Sequence, residues 1–403
     1  MSGVFDRLAG QDEVVAELTA AAHAARARVP GQGWDQTDAR MVHAWLFTGP
    51  PGSGRSVAAM CFAAALQCEH PEIVGCGECR AFHTVAAGTH ADVHLPAPQG
   101  GNLLLKDVKE TIHRAASRPG TGRWQIVVVE EADRLTEQSG NALLKVVEEP
   151  PSRTVFLLCS PTTDPMDIMV TLRSRSRTVA LRQPDAAAVE SALLAGGGVD
   201  PDRARWAAGV SSGHIGRARW LATDEATRDR RDAVLELPMV MHNPGRAFPL
   251  ADRLVSAAEQ EAVARNTGND EREVEELRTA MGVGGTGKGA VAAGRGAAGA
   301  VKELEKAQKS RRTRSTRDSL DLALVDLAGF YRDALMAGLG VGDVAPVHPD
   351  KAAESSRLGG HYPPAAVLQA IEAIQECRAA IEVNVKPKFA VSAMVGAIRQ
   401  ALG

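Results

Sequence analysis

The sequence predicts a parallel α/β sheet covered by helices on both faces, followed by two purely helical regions. Three observations predict it. The apolar, strand-like segment His43 to Thr48 runs into the loop Gly49-Pro50-Pro51-Gly52-Ser53-Gly54-Arg55-Ser56 and then into the helical run Val57 to Leu66. This is the strand, loop and helix order that a phosphate site requires. The segment Trp124 to Val129 is β-branched and apolar on both faces, as in a strand buried on both sides. After Gln183-Pro184 the strand-like runs cease and the pattern is helical to the end.

The elements follow in order. Gly10 to Ala25 carries apolar residues at helical spacing, and a polar, glycine-bearing stretch from Gly31 to Arg40 leads into the first strand. A cysteine cluster comes after the helix at Leu66, then a short strand near Asp92 to Leu95 and a helix from about Leu105 to Ser117. Glu137 to Val147 reads as a helix, and Thr154 to Cys159 and Thr178 to Leu181 as further strands. Short helices are expected at Ala186 to Leu194, Pro201 to Ala208 and Gly216 to Ala222. Glycine-rich composition favours a flexible loop over 281–300, and the basic run Lys306 to Arg317 reads as a solvated helix face. Amphipathic helices are expected at Leu320 to Leu339, Pro364 to Ile381 and Phe389 to Leu402. These segments divide the chain at 1–183, 184–227 and 228–403.

Composition narrows the function classes. A chain of 403 residues exceeds one ordinary core, and its length fits about two or three domains. The formal charge of -3, with charged residues at 24% and aromatics at 4%, suits neither a protein that coats nucleic acid by itself nor a base-stacking platform. No apolar run reaches the roughly 18 residues of a membrane span, and the start, Met1 to Arg7, lacks the charge and apolar order of a signal peptide, so a cytoplasmic protein is expected. The six cysteines, three of them clustered, read as metal ligands plus buried thiols.

Four groups of residues carry chemistry. The loop Gly49 to Ser56 fits G-x-x-x-x-G-K-[ST] except at its lysine: the glycines let backbone N–H groups cradle phosphate oxygens, and Ser56 is placed for a Mg²⁺ contact. Arg55 stands where the lysine is expected, and its wide planar fork is no conservative replacement for a compact ammonium. Glu130 and Glu131 end a core strand, where an acidic pair would hold Mg²⁺ and polarise water; the first is one methylene longer than that role prefers. A charged strand end without catalytic meaning is the competing reading. Cys68, Cys76 and Cys79 form C-x7-C-x2-C, the spacing at which thiolates converge on tetrahedral Zn²⁺. Phe82 occupies the next x2 step and cannot ligate, which leaves His83 as the expected fourth ligand, with His70 and His90 nearby; three small buried cysteines are the alternative. Arg173, Arg175 and Arg177 alternate before the last strand and read by pattern alone as a solvated ladder. His113 and His214 read as surface or core histidines, and Cys61, Cys159 and Cys377 as buried hydrophobes.

Taken in order, Gly10-Gln11, the loop at Gly49 to Ser56, the cysteine cluster followed by Ala87 to Asp92, Glu130 to Asp133, Asn141 to Pro150, and Leu172 to Ser176 resemble bacterial clamp-loader AAA+ subunits. The likeness is dense over roughly the first two hundred residues, and Val383 to Ala390 extends a thinner one to the end. The resemblance implies an AAA+ nucleotide-binding module, a small helical lid and an all-helical collar through which five subunits form an open ring. Such a ring, with motor subunits of gamma/tau type and a delta-type subunit, loads a sliding clamp onto primed DNA. It also implies that Arg175 is an arginine finger donated to a neighbour's ATP, with Ser176 in place of the family's cysteine. Ser160 matches a polar residue that senses the γ-phosphate, and Ser212 to Arg217 resembles a lid version without the sensing arginine. ATP with Mg²⁺ and structural Zn²⁺ are the implied cofactors. The departures at Arg55 and Glu130 weaken the chain's own hydrolysis and leave the donated arginine intact, so a stator is the first reading and an ATP-hydrolysing motor subunit the second.

Overall fold

The computed structural model describes residues 3–28, 34, 39–96, 103–280, 290–342 and 344–403. The chain divides into two compact units, Met1–Thr223 and Asp224–Gly403.

The first unit is built on five parallel strands. Helix α1 (Asp12–Ala27) precedes β1 (Ala44–Thr48), and α2 (Arg55–Leu66) follows it across the glycine-rich loop. Next come α3 (Arg80–Ala86), β2 (Val93–His94), α4 (Leu105–Ala115), β3 (Gln125–Val129), α5 (Glu137–Glu148), β4 (Thr154–Ser160), α6 (Val170–Arg175) and β5 (Arg177–Ala180). The strand order is β2-β3-β4-β1-β5, all pairs parallel, with Thr48 opposite Ser160 and Val129 opposite Leu158.

Strand alternation divides the core between the two faces of this sheet. Trp45, Phe47, Ile126, Val128, Val155 and Leu157 pack with α1 and α2, whereas Ala44, Leu46, Val127, Val129, Phe156 and Leu158 pack with α4, α5 and α6. Both faces are therefore apolar, which is why these strands read as continuous hydrophobic runs. Because the strands are parallel, the loops after β1, β3 and β4 leave from one edge, the place where open α/β sheets bind ligands.

Helices α7 (Ala186–Ala195), α8 (Pro201–Val210) and α9 (Ile215–Thr223) complete the unit around their own small core, which includes Val189, Leu193, Ala207 and Leu221. Two aspartates start them correctly: Asp185 accepts from Ala188 N–H and Asp200 from Asp202 and Arg203 N–H.

The second unit has helices and no strand among its described residues: α10 (Glu225–Val240), α11 (Pro244–Ala280), α12 (Ala290–Gly338), α13 (Ala352–His361), α14 (Pro364–Glu382) and α15 (Pro387–Leu402). Its core gathers Leu235, Phe330, Tyr331, Ile374 and Val395.

Three expectations change, and two short helices appear that the sequence did not suggest. Residues 281–289 of the expected Gly/Ala-rich loop lie outside the described residues, but 290–300 belong to α12, since its alanines favour a helix strongly enough to carry the interspersed glycines. The basic run is in part a seam: Arg311 and Arg312 reach across to Asp270 on α11, which is 3% exposed, and Arg311 also pairs with Glu273, while Lys306 and Lys309 are exposed as expected. The arginine ladder is not a ladder, because Arg173 and Arg175 sit on α6 and only Arg177 lies in β5. Their side chains accordingly diverge, to Thr163 O, Glu148 and Glu17 respectively. Helices α3 and α6, of seven and six residues, carry too few turns to show a period in sequence.

Candidate nucleotide and metal sites

The loop leaves β1 at the sheet's carboxyl edge. Gly49 N–H donates to Pro161 O at 3.3 Å, tying the loop to the chain just beyond β4, and Leu181 N–H donates to Thr48 O at 2.7 Å from the other side. Gly52 and Gly54 hold φ of +86° and +91°, a left-handed backbone open to glycine at little cost. Gly54 then caps α2, whose first free N–H groups and positive dipole end face the loop. Gln11 fastens the loop from the amino-terminal side: it donates through Nε2 to Arg182 O at 2.6 Å and accepts from Arg182 N–H at 3.2 Å, while only 3% exposed.

Three buried polar atoms around this loop lack a hydrogen-bond partner: Ser53 Oγ, Arg55 Nη1 and Ser160 Oγ. An orphaned buried group costs about 1–3 kcal/mol, so three at one loop point to a ligand rich in hydrogen-bonding oxygens. Phosphate oxygens fit that donor set, and Ser56, in the first turn of α2, would offer a hydroxyl to an accompanying magnesium ion. Burial presses the Arg55 pKa below its ordinary value, opposed by Cys159, Asp133 and Asp167 nearby. Burial likewise raises the Asp133 carboxyl above the usual carboxylate range, with Arg134 and Arg55 opposing. Arg55 thus lies within the field of carboxylates at the sheet edge.

A cavity of about 700 Å³ opens beside the loop, lined by Val4, Leu8, Gly52, Ser56, His214 and Arg219 among others. His214 stands directly over the loop, since a Cβ on Gly52 would come within 2.7 Å of it. Its Nδ1 accepts from Arg217 N–H at 3.2 Å, which leaves the proton of the neutral ring on Nε2. Burial, reinforced by Arg217, holds its pKa below the ordinary histidine value. The sequence suggests only a surface or core histidine at 214 and does not single out Arg219 or the Val4 to Leu8 segment. The one signal for His214 was its position after Gly213, just before a short helix.

Of the acidic pair, Glu130 is exposed just beyond β3, and Glu131 lies 3.7 Å from Arg134. Glu130, Ser160 and the loop share the carboxyl edge of β3, β4 and β1, which are neighbours. Arg175, 41% exposed at the end of α6, pairs with Glu148 at 2.8 Å. Cys61, Cys159 and Cys377 are buried, and burial raises the Cys61 thiol to about 11.

The sulfurs of Cys68, Cys76 and Cys79 lie within 4.8 Å of one another, Cys68 and Cys76 at 3.7 Å. Tetrahedral zinc with bonds of about 2.3 Å would hold its sulfurs about 3.8 Å apart, so the donor set fits. Among the described residues no histidine or carboxylate joins them. His83 is exposed on α3 with its ring outside the group, and His70 and His90 accept backbone N–H groups through Nδ1.

Residues 35–185 match the family described as "DNA polymerase III, delta subunit". The DNA polymerase III subunit delta' of Pseudomonas aeruginosa is 35% identical over 160 residues, 38% of this chain and 48% of that protein. The delta' subunit of Bacillus subtilis is 28% identical over 52% of this chain and 63% of its own length. The gamma/tau subunit of Mycobacterium tuberculosis is 34% identical over 43% of this chain and 27% of its own. The chain thus spans less than two thirds of the length of each. The glycine-rich loop, the parallel sheet and the cysteine group lie within residues 35–185, and over that region the chain is similar to subunits of the DNA polymerase III clamp loader.

Proposed function

We propose that this chain is a delta-prime-type stator of the DNA polymerase III clamp loader, which completes a neighbouring subunit's ATP site and helps load the sliding clamp onto primed DNA. The observation that carries the reading is the contrast between two arginines. Arg55 is half-buried in the chain's own loop with its Nη1 fully covered, under the influence of nearby carboxylates, where a lysine is expected. Arg175 stands at the surface, held by one half-exposed ion pair that a phosphate could replace.

Gly49 to Ser56, Glu130 and Ser160 would hold ATP and its Mg²⁺, which supplies charge neutralisation on the phosphates; Glu131 would orient water. With Arg55 and the longer Glu130, binding is retained and hydrolysis is slow. Cys68, Cys76 and Cys79 would hold structural zinc. Residues 1–183 serve as the nucleotide module, 184–227 as the lid and 228–403 as the collar, in a ring of five with gamma/tau-type and delta-type subunits. The intact loop conformation favours a second reading, a motor subunit that hydrolyses ATP with Arg55. Among the described residues no helix is long and apolar enough to cross a membrane.

Steady-state ATP turnover by the purified chain separates the two. A stator binds nucleotide and turns over negligibly; motor-like turnover that disappears in Arg55→Ala establishes the second reading instead.

A further inference from the structure

The cysteine group has three sulfur ligands in place, and among the described residues no fourth side chain joins them. A backbone amide already points into the group: Cys76 N–H donates to Cys68 Sγ at 3.5 Å. Amides aimed at sulfur stabilise thiolate charge and orient the ligand, as the surroundings of a metal site do. Gly77, at φ +75°, lets the chain between Cys76 and Cys79 turn tightly enough to present both.

Among the described residues, the side chains that might close the site lie apart from it. Phe82, at the next x2 step, packs against the core under α1 and α2. His83 faces solvent, and His70 and His90 each turn Nδ1 to their own backbone. Cys79 is half-buried, while Cys68 and Cys76 are buried, so solvent approaches the group from the Cys79 side.

We propose that Cys68, Cys76 and Cys79 form a three-thiolate site for a thiophilic divalent cation, with its fourth position held by an exchangeable small molecule, water by default. This rests on the zinc reading and replaces its His83 ligand. A protein that completes four ligands closes its metal, whereas three ligands leave it a position open to exchange.

Cobalt(II) added to the reduced full chain tests it. The expected result is one cobalt per chain, with sulfur-to-cobalt charge transfer and four-coordinate ligand-field bands that move when imidazole is added. The spectrum before imidazole should be the same in His83→Ala, His70→Ala and His90→Ala, and Cys76→Ser should lose charge-transfer intensity. A histidine variant that alters the starting spectrum, or a bound cobalt indifferent to imidazole, overturns the open site while leaving metal binding intact. Failure to take up cobalt at all refutes the metal reading beneath it.

Discussion

At the scale of single residues, the account turns on where each charge sits. Arg175 and Glu148 are both about 40% exposed, and such surface pairs contribute about 0–1 kcal/mol. Arg175→Ala should therefore leave the thermal stability of the isolated chain nearly unchanged, and a drop well beyond that range in a denaturant titration would make the arginine structural instead. Gly52 is the opposite case. Its positive φ and the 2.7 Å approach of His214 leave no room for a side chain, so Gly52→Ala should abolish binding of a fluorescent ATP analogue, an effect absent if the loop holds no nucleotide. The glycine-rich loop between β1 and α2 was legible in sequence because its glycines, arginine and serine are contiguous. His214 was not, because its relation to Gly52 exists only once α9 has folded back over the loop.

At the scale of elements, the strands were legible and the polar seams were not. Residues buried on both faces write themselves as apolar runs, and β1, β3 and β4 begin and end close to where the pattern places them. The basic stretch of α12 gave no such sign, since its acidic partners lie about forty positions away on α11: Arg311 to Asp270 and Glu273, Arg312 to Asp270. Asp270 is almost fully buried, so removing both arginines strands a carboxylate. Arg311→Ala with Arg312→Ala should cost about 3 kcal/mol, measurable as a lowered denaturation midpoint. A loss below about 1 kcal/mol would return the run to the status of a solvated face. The alternating arginines misled for a related reason: a helix of six residues ends at Arg175 and Arg177 already lies in β5, so a two-residue spacing points in three directions.

At the scale of the whole molecule, two units with separate cores carry different obligations. The helical unit buries His348 completely, with Nδ1 accepting from Arg231 at 2.9 Å and Nε2–H donating to Asp326 O at 2.9 Å; Asp333 receives its backbone N–H, and Asp350 pairs with Arg231. Burial, with Arg231, outweighs Asp326 and Asp333 and holds its pKa below 6.5. The unfolded chain therefore takes up a proton at higher pH than the folded one, and this contribution is present above about pH 6.5 and fades as pH falls toward the folded value. Melting followed from about pH 7.5 to about pH 5.5 should show a decline that His348→Gln reduces; an unchanged slope would remove His348 from the explanation. The nucleotide unit carries the functional claim, that this chain lends an arginine and hydrolyses little itself. The most direct test is ATP turnover by the clamp-loader assembly reconstituted with this chain or with its Arg175→Ala variant. The account predicts intact assembly and a fall in turnover on the order of 10³-fold; equal turnover by the two assemblies would contradict it.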